Sequence, residues 1–378
     1  MIKWLFKYGA AIFLFNTVLL NIESTYDIGN MIFLFLMGIF SFFLIINPAQ
    51  IKNILFHKAF SFFLILNLMN LLYFLLFHAI SDYEAIKYII ARGLQFSIIS
   101  VSIYFNYEYY KEKFLKHIVY LVFGIVVFSF LLDPFILSGR YSGIIWNPNM
   151  LSSFCVTAFS ILLLDNKKRT NIDYFILSSL LLIAVSTGSR LALIAIVLVL
   201  LMKYGFSARN IIYAVISLLI SFIIISINLD TSLNRFASQS LFNDRILQYQ
   251  YAYQTLVNKP LFGYGLDKYA FIDMSLVPTY LKHTIMGAHN GYLAILAQCG
   301  ILFGGIFLFI VLKKSLQVFL YFKSRKSFER AFLFIIIYTL LASFFETLMT
   351  GINEFNTILF WISLSILSYS KFEEENAI

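Results

Sequence analysis

Long apolar runs alternate with short polar stretches along the whole chain of 378 residues. A run of about 20 apolar residues is long enough to cross the hydrocarbon core of a bilayer as a helix. The pattern therefore predicts an all-α, polytopic membrane protein with about twelve transmembrane helices. The predicted spans are 4–21, 29–46, 59–80, 86–105, 115–136, 149–164, 172–186, 189–204, 210–228, 289–312, 331–349 and 356–370.

The stretch 172–204 can be one long helix or two short helices joined at Thr187-Gly188. One helix would move the basic cluster from Lys313 to Arg330 to the outer side, against the positive-inside rule. Two helices keep the rule, but each is then only about 15 residues, or roughly 23 Å long. That is shorter than the ~30 Å hydrocarbon core. We therefore expect a helical hairpin whose joint dips below the outer surface and lines a cavity.

One connecting stretch, 229–288, is much longer than the others. We expect a single integral membrane domain, 1–378, with 229–288 as its one large water-facing loop. After Asn243, a plausible N-cap, apolar side chains recur at helical spacing as far as Val257. This spacing predicts an amphipathic helix that lies on the outer surface of the bilayer.

Composition supports a location in the membrane, and the distribution of charge gives the orientation of the chain. Apolar residues make up 61% of the chain and charged residues 12%, an imbalance that needs lipid around the protein. Most of the 28 lysine and arginine residues lie in alternate connecting segments, so both termini are expected in the cytoplasm and the long loop outside. The net charge of +9 then reflects topology, and we expect no nucleic-acid partner. Cys155 and Cys299 show neither metal-ligand nor disulfide spacing.

Polar motifs with possible chemistry lie on the outward side. Arg140–Gly143 is followed by Asn147-Pro148-Asn149, where the structural alternative is a polar turn with a helix cap and a snorkelling arginine. Arg190 follows the joint Thr187-Gly188. Its planar guanidinium suits a phosphate, and the alternative is again a snorkelling side chain.

The long loop and its end supply the remaining candidates. Arg245 stands at the start of the predicted loop helix, and Gly263-Tyr264-Gly265 predicts a tight turn. His289 opens the tenth span, where helix polarity disfavours the imidazolium and leaves a neutral proton acceptor. A purely structural histidine is the alternative. We assign no role to His57, His78, His117 or His283. The outer carboxylates show no ligand-like spacing, so no metal is expected.

Taken in order, these motifs resemble the O-antigen ligase/polymerase family of bacterial envelope glycosyltransferases, over roughly Gly139 to Gly304. The resemblance implies a GT-C-like fold and transfer of a glycan from an undecaprenyl-diphosphate carrier to an acceptor hydroxyl, outside the inner membrane. It implies neither metal nor cofactor. Arg190 and Arg245 would bind the carrier diphosphate, and His289 would activate the acceptor. The other candidate binding residues are Arg140, Asn147, Asn149, Tyr249, Gly263, Gly265 and Asn290.

Three functions stay open. The chain can be a polymerase that extends lipid-linked repeat units, which the Asn-Pro-Asn form slightly favours. It can be a ligase that moves the finished chain to lipid A–core. A transporter would need several ionisable groups near mid-membrane and repeated halves. Expected partners are the undecaprenyl-diphosphate-linked oligosaccharide or polysaccharide, membrane lipid and a chain-length regulator protein.

Overall fold

The computed structural model describes residues 2–136, 140–205, 207–213, 216, 243–283, 285, 287–325 and 328–376. Within these ranges the regular secondary structure is helical. The helices are α1 (Ile2–Leu19), α2 (Tyr26–Ile46), α3 (Pro48–Leu55), α4 (Ser61–Phe77), α5 (Tyr83–Phe105), α6 (Tyr107–Glu112), α7 (Phe114–Leu132), α8 (Pro148–Leu164), α9 (Asn171–Ser186), α10 (Arg190–Tyr204), α11 (Asn243–Asn258), α12 (Gly291–Cys299), α13 (Gly305–Phe322), α14 (Glu329–Ala342) and α15 (Phe355–Asn376).

Four helical stretches of the described residues are long and apolar enough to cross a membrane: Glu23–Ile46, Tyr83–Phe105, Phe114–Leu132 and Gly291–Phe322. Shorter apolar helices are Ser61–Phe77, Pro148–Leu164 and Asn171–Ser186. The prediction of an all-α fold with several helices able to span a membrane is confirmed for the described residues, whereas the number of twelve spans and the topology stay predictions. Most of the predicted span 210–228, and the first part of the loop 229–288, lie outside the described residues.

Two helices form the centre of the bundle. Nearly every residue of α8 and of the first four turns of α15 is buried, including the whole side chain of Trp361. A helix that is apolar all round is a core helix. By contrast, α2 keeps large apolar side chains such as Leu34 and Phe35 about two-thirds exposed, as a lipid-facing helix does.

The stretch 172–204 folds as two helices, as the charge pattern predicts. Helix α9 ends at Ser186 and α10 begins at Arg190, with Gly188 at a φ of +64° in the turn. At the far end, Lys203 Nζ donates a hydrogen bond to the carbonyl of Asp165, at 3.2 Å. Since Asp165 precedes α9, the chain has turned back on itself and the pair is a helical hairpin.

Two predicted spans need correction. The span 331–349 is too long, because α14 ends at Ala342 and residues 343–354, which we call the site segment, leave the helix. Side chains of distant elements donate hydrogen bonds to the backbone carbonyls of this segment. These carbonyls are therefore not available for the hydrogen bonds of a helix. The span 289–312 is too short, because the helical stretch runs from Gly291 to Phe322; it contains a π-helical segment, Gly300–Gly304, where the loop packs against its backbone.

Candidate functional site

The site segment is held by polar side chains from the loop helix α11 and from the start of α12. Tyr249 Oη and Asn290 Nδ2 both donate to the carbonyl of Phe344, at 2.6 and 3.2 Å. Arg245 Nη1 donates to the carbonyl of Phe345, at 2.6 Å. An unpaired carbonyl away from water is costly, so these bonds fix the path of the segment.

Glu346, on the site segment, is the point where the predicted residues meet. Its Oε1 lies 3.0 Å from Arg245 Nη2 and accepts a hydrogen bond from Asn149 Nδ2 at 3.4 Å. Its Oε2 lies 3.5 Å from His289 Nδ1. Burial opposes ionisation of Glu346, but the hydrogen bond from His289 and the charge of Arg245 outweigh it and hold the pKa of the carboxyl below its usual value.

Arg140 connects this cluster to the joint of the helical hairpin. Its Nη2 donates to Asn149 Oδ1 at 2.6 Å, and its Nε donates to the carbonyl of Thr187 at 3.4 Å. Asn147 Oδ1 accepts from the backbone N–H of Asn149 and caps α8, at 2.9 Å. The two predicted motifs therefore meet in space. Arg190 is half-buried at the first residue of α10, three residues after Thr187.

His289 adopts a backbone conformation that suggests a functional constraint. Its φ is +42°, a region that residues other than glycine rarely occupy and that is enriched at active sites. Asn290 next to it caps α12 by accepting from Leu293 N at 3.0 Å. With a proton on Nδ1 facing Glu346, the imidazole keeps Nε2 as a proton acceptor.

The structure does not bring Gly263 and Gly265 to Glu346. Gly263 has a φ of +70°, and an added Cβ would lie 2.5 Å from Gly300 N and from Gln298 O. Gly265 N donates to the carbonyl of Gln298 at 2.9 Å. The turn thus packs its backbone against the end of α12 and the π-helical stretch. This packing is the reason for glycine at position 263. At Gly265, whose φ is +126°, an added Cβ would lie 2.7 Å from Asp267 Oδ1 and 2.8 Å from His78 Cε1. A phosphate-binding role for either glycine stays a prediction.

Sequence reasoning missed Glu346 as a site residue, and it missed a buried network beside it. Arg92, fully buried on α5, donates to the carbonyl of Thr350 and to Gln95 Oε1. Glu354 accepts hydrogen bonds from Tyr269 and Thr357. One signal was available: an ionisable residue inside an apolar span is a functional hypothesis by default.

His78, to which we assigned no role, lies in another polar cluster. The ligand atoms of His78, Asp82 and Asp267 lie within 4.8 Å of one another. His78 Nδ1 is 2.6 Å from Asp82 Oδ2, and Nε2 accepts from the N–H of Leu266 at 3.0 Å. Both ring nitrogens are thus engaged by the protein, and a metal ion would have to displace these bonds. The arrangement joins the α4–α5 turn to the loop.

A comparison with protein families matches residues 175–310 to the family described as O-antigen ligase. The match confirms the predicted resemblance and supports membership of the chain in the O-antigen ligase/polymerase family. It includes Arg190, Arg245 and His289, whereas Arg140 and Glu346 lie outside the matched range. A comparison with curated proteins finds no match.

Proposed function

We propose that the protein is an O-antigen or polysaccharide polymerase, an inverting glycosyltransferase that moves a glycan from undecaprenyl diphosphate to an acceptor sugar hydroxyl. The observation that carries the proposal is the meeting of Arg245, His289 and Asn149 at Glu346. The family match adds a lipid-linked polysaccharide as the class of substrate. In this proposal the site faces the outer side of the bacterial inner membrane, both termini are cytoplasmic, and neither metal nor cofactor takes part.

The arginines stabilise the leaving group in this mechanism. As the glycosidic bond breaks, negative charge grows on the carrier diphosphate, and preorganised guanidinium groups stabilise charge that develops in the transition state. Arg190 and Arg245 are the residues proposed for this role. Arg245 is paired with Glu346, so an incoming diphosphate competes with the carboxylate for the same guanidinium.

His289 activates the acceptor. Its Nε2 takes the proton of the acceptor hydroxyl while the hydroxyl oxygen attacks the anomeric carbon, and undecaprenyl diphosphate leaves from the opposite face. General-base help of this kind is worth roughly 10² to 10⁴ in rate. Glu346 orients the imidazole through Nδ1 and stabilises the imidazolium that forms, as carboxylates do in other base–carboxylate pairs.

Replacement of Arg190 or His289 by Ala tests the proposal. We expect cells that carry either variant to lose long-chain polysaccharide on a gel, at equal protein level. Arg209→Ala and His283→Ala are matched controls, because both side chains are exposed and lie outside the cluster. Unchanged polymer in the Arg190 and His289 variants would contradict the assignment of the site.

The second candidate function is an O-antigen ligase, which the description of the matching family favours. Both enzymes share the donor and the leaving group, so the same residues serve both. Deletion of the gene separates them, because a ligase mutant accumulates long lipid-linked polymer and a polymerase mutant leaves single-repeat products. Polymer formation by the purified protein from lipid-linked repeats would exclude a transporter. A chain-length regulator remains a proposed partner of the polymerase.

A further inference from the structure

An open depression of about 490 Å³ lies beside the segment that carries Arg140 and Asn149. It is lined by Glu23, Ser142, Gly143, Ile144, Ile145 and Trp146. The floor is fixed by backbone contacts, since Trp146 N donates to the carbonyl of Asn21 at 3.0 Å and Ile22 forms an antiparallel bridge with Ile145. The depression is therefore a built feature of the fold rather than a loose loop.

Trp146, which lines the depression, stacks its ring on that of Tyr26. Trp146 and Tyr26 have ring centroids 5.5 Å apart and planes 24° apart, and their side chains are 58% and 41% exposed. This pair is exposed on the protein surface and offers a flat, partly apolar face to a ligand. Glu23 adds an exposed carboxylate to the same depression.

These groups match the chemistry of a sugar ring. A pyranose has a C–H face that packs on an aromatic ring and a rim of hydroxyls that donate to a carboxylate, which only accepts. Trp146 lies three residues before Asn149, so their Cα atoms are at most about 11 Å apart. Since Asn149 contacts Glu346, the segment that carries Trp146 leads to the proposed site within three residues.

We propose that Tyr26, Trp146 and Glu23 form a saccharide-binding subsite that holds a sugar of the glycan chain beside Glu346. The inference rests on the proposed function, because it takes the substrate to be a lipid-linked glycan. Aromatic side chains also gather at membrane interfaces as anchors. Such an anchoring role predicts no dependence of saccharide binding on these residues.

Binding to the purified full-length protein in detergent tests the subsite. The probe is the set of oligosaccharides of one to three repeat units released by mild acid from the host's own surface polysaccharide, with dextran oligosaccharides of equal size as the control. We expect a saturable change in tryptophan fluorescence that Trp146→Phe abolishes and Trp4→Phe keeps. Trp361 is fully buried, and only three tryptophans are present, so the signal is assignable.

Equilibrium dialysis with labelled oligosaccharide supplies a second readout. Tyr26→Ala and Glu23→Gln should each weaken binding by about tenfold, as expected for loss of one aromatic or charged contact at the centre of an interface. Tyr83→Ala, an exposed aromatic on α5, should leave binding unchanged, and thermal unfolding should show that all variants fold. Equal affinity of Tyr26→Ala, Glu23→Gln and the parent protein would overturn the subsite.

The two proposals fail in different ways. If His289→Ala abolishes polymer in cells while Tyr26→Ala leaves saccharide affinity intact, the proposed function stands and the subsite is wrong. If His289→Ala leaves polymer unchanged while Tyr26→Ala weakens saccharide binding, the depression binds sugar and the proposed glycosyl transfer at this site is wrong.

Discussion

Replacement of Glu346 by Gln removes one negative charge and almost no volume. The substitution breaks the ion pair with Arg245, whose Nη2 lies 3.0 Å from Glu346 Oε1. It also replaces the carboxylate that faces His289 Nδ1. The variant therefore changes the electrostatics of the cluster while the neighbouring side chains keep their packing.

The magnitude follows from the distance and the exposure of the pair. Two unit charges 3.0 Å apart attract by about 5.5 kcal/mol at an effective dielectric of about 20. Because the side chains of Arg245 and Glu346 are 31% and 27% exposed, solvent screening and desolvation leave a net loss of about 1–2 kcal/mol in the free energy of unfolding. The turnover rate should fall by a larger factor, roughly 10² to 10⁴, because His289 loses the carboxylate that orients it and stabilises its charged form.

The assay is polymer formation from lipid-linked repeat units by purified protein, with thermal unfolding measured alongside. Glu354→Gln is the matched control on the same site segment. Burial raises the pKa of Glu354, although the hydrogen bonds from Tyr269 and Thr357 lower it. The neutral amide of Gln therefore resembles the protonated carboxyl that burial favours at this position. We expect the Glu354 variant to keep most of its activity. Full activity of Glu346→Gln, or equal loss in both variants, would refute the role given to Glu346.

Three further predictions concern packing, pH and the arginine bridge. Gly263→Ala should lower the free energy of unfolding by at least about 2 kcal/mol, because its φ is positive and the added Cβ meets backbone atoms. The control Gly93→Ala, where a Cβ meets no described atom within 4 Å, should be neutral or stabilising. Equal melting temperatures of these two variants would contradict the prediction. Since the pKa of Glu346 is lowered, its contribution to stability is present at pH values above the ordinary glutamate pKa and is lost as the pH falls through the pKa of the folded state. The difference in melting temperature between the parent protein and Glu346→Gln should therefore shrink in acid. A difference independent of pH would contradict the ion pair. Arg140→Lys should reduce polymer formation about tenfold or more, because Arg140 reaches Asn149 and the Thr187 carbonyl with two separate nitrogens of its rigid guanidinium, whereas all donors of an ammonium share one nitrogen. Normal polymer length and amount would show that the bridge is not required.

The helices and their joints were predictable where local signals specify them. Asn147-Pro148 predicts a helix start, and Asn147 does cap α8 at that point. The helical spacing after Asn243 predicts the loop helix, and the described part of the loop is helical from Asn243 to Asn258. The charge pattern predicts the hairpin at Thr187, because only two helices keep the basic cluster on one side. Each of these features depends on residues close in sequence.

The site segment was not predictable in the same way. In the sequence, residues Ser343 to Met349 have the apolar composition of the end of a span. The single carboxylate among them, Glu346, leaves the average hydropathy typical of a span. What takes the segment out of a helix is a set of side chains up to 258 residues away in sequence. His78 shows the same limit, since its contact with Leu266 crosses 188 residues. A single sequence contains no periodicity that reports such pairs.

The burial of Arg92 has a consequence for how the protein is made. Its guanidinium donates to the carbonyl of Thr350, 258 residues later in the chain. At about 5–20 residues per second, translation needs roughly 13–52 s to cover that distance. Throughout this interval α5 holds a charged group whose final acceptor has not yet been synthesised. Helix α5 must therefore stay partly solvated or bound to a chaperone during this time. The bundle reaches its final packing only after the ribosome has synthesised most of the chain.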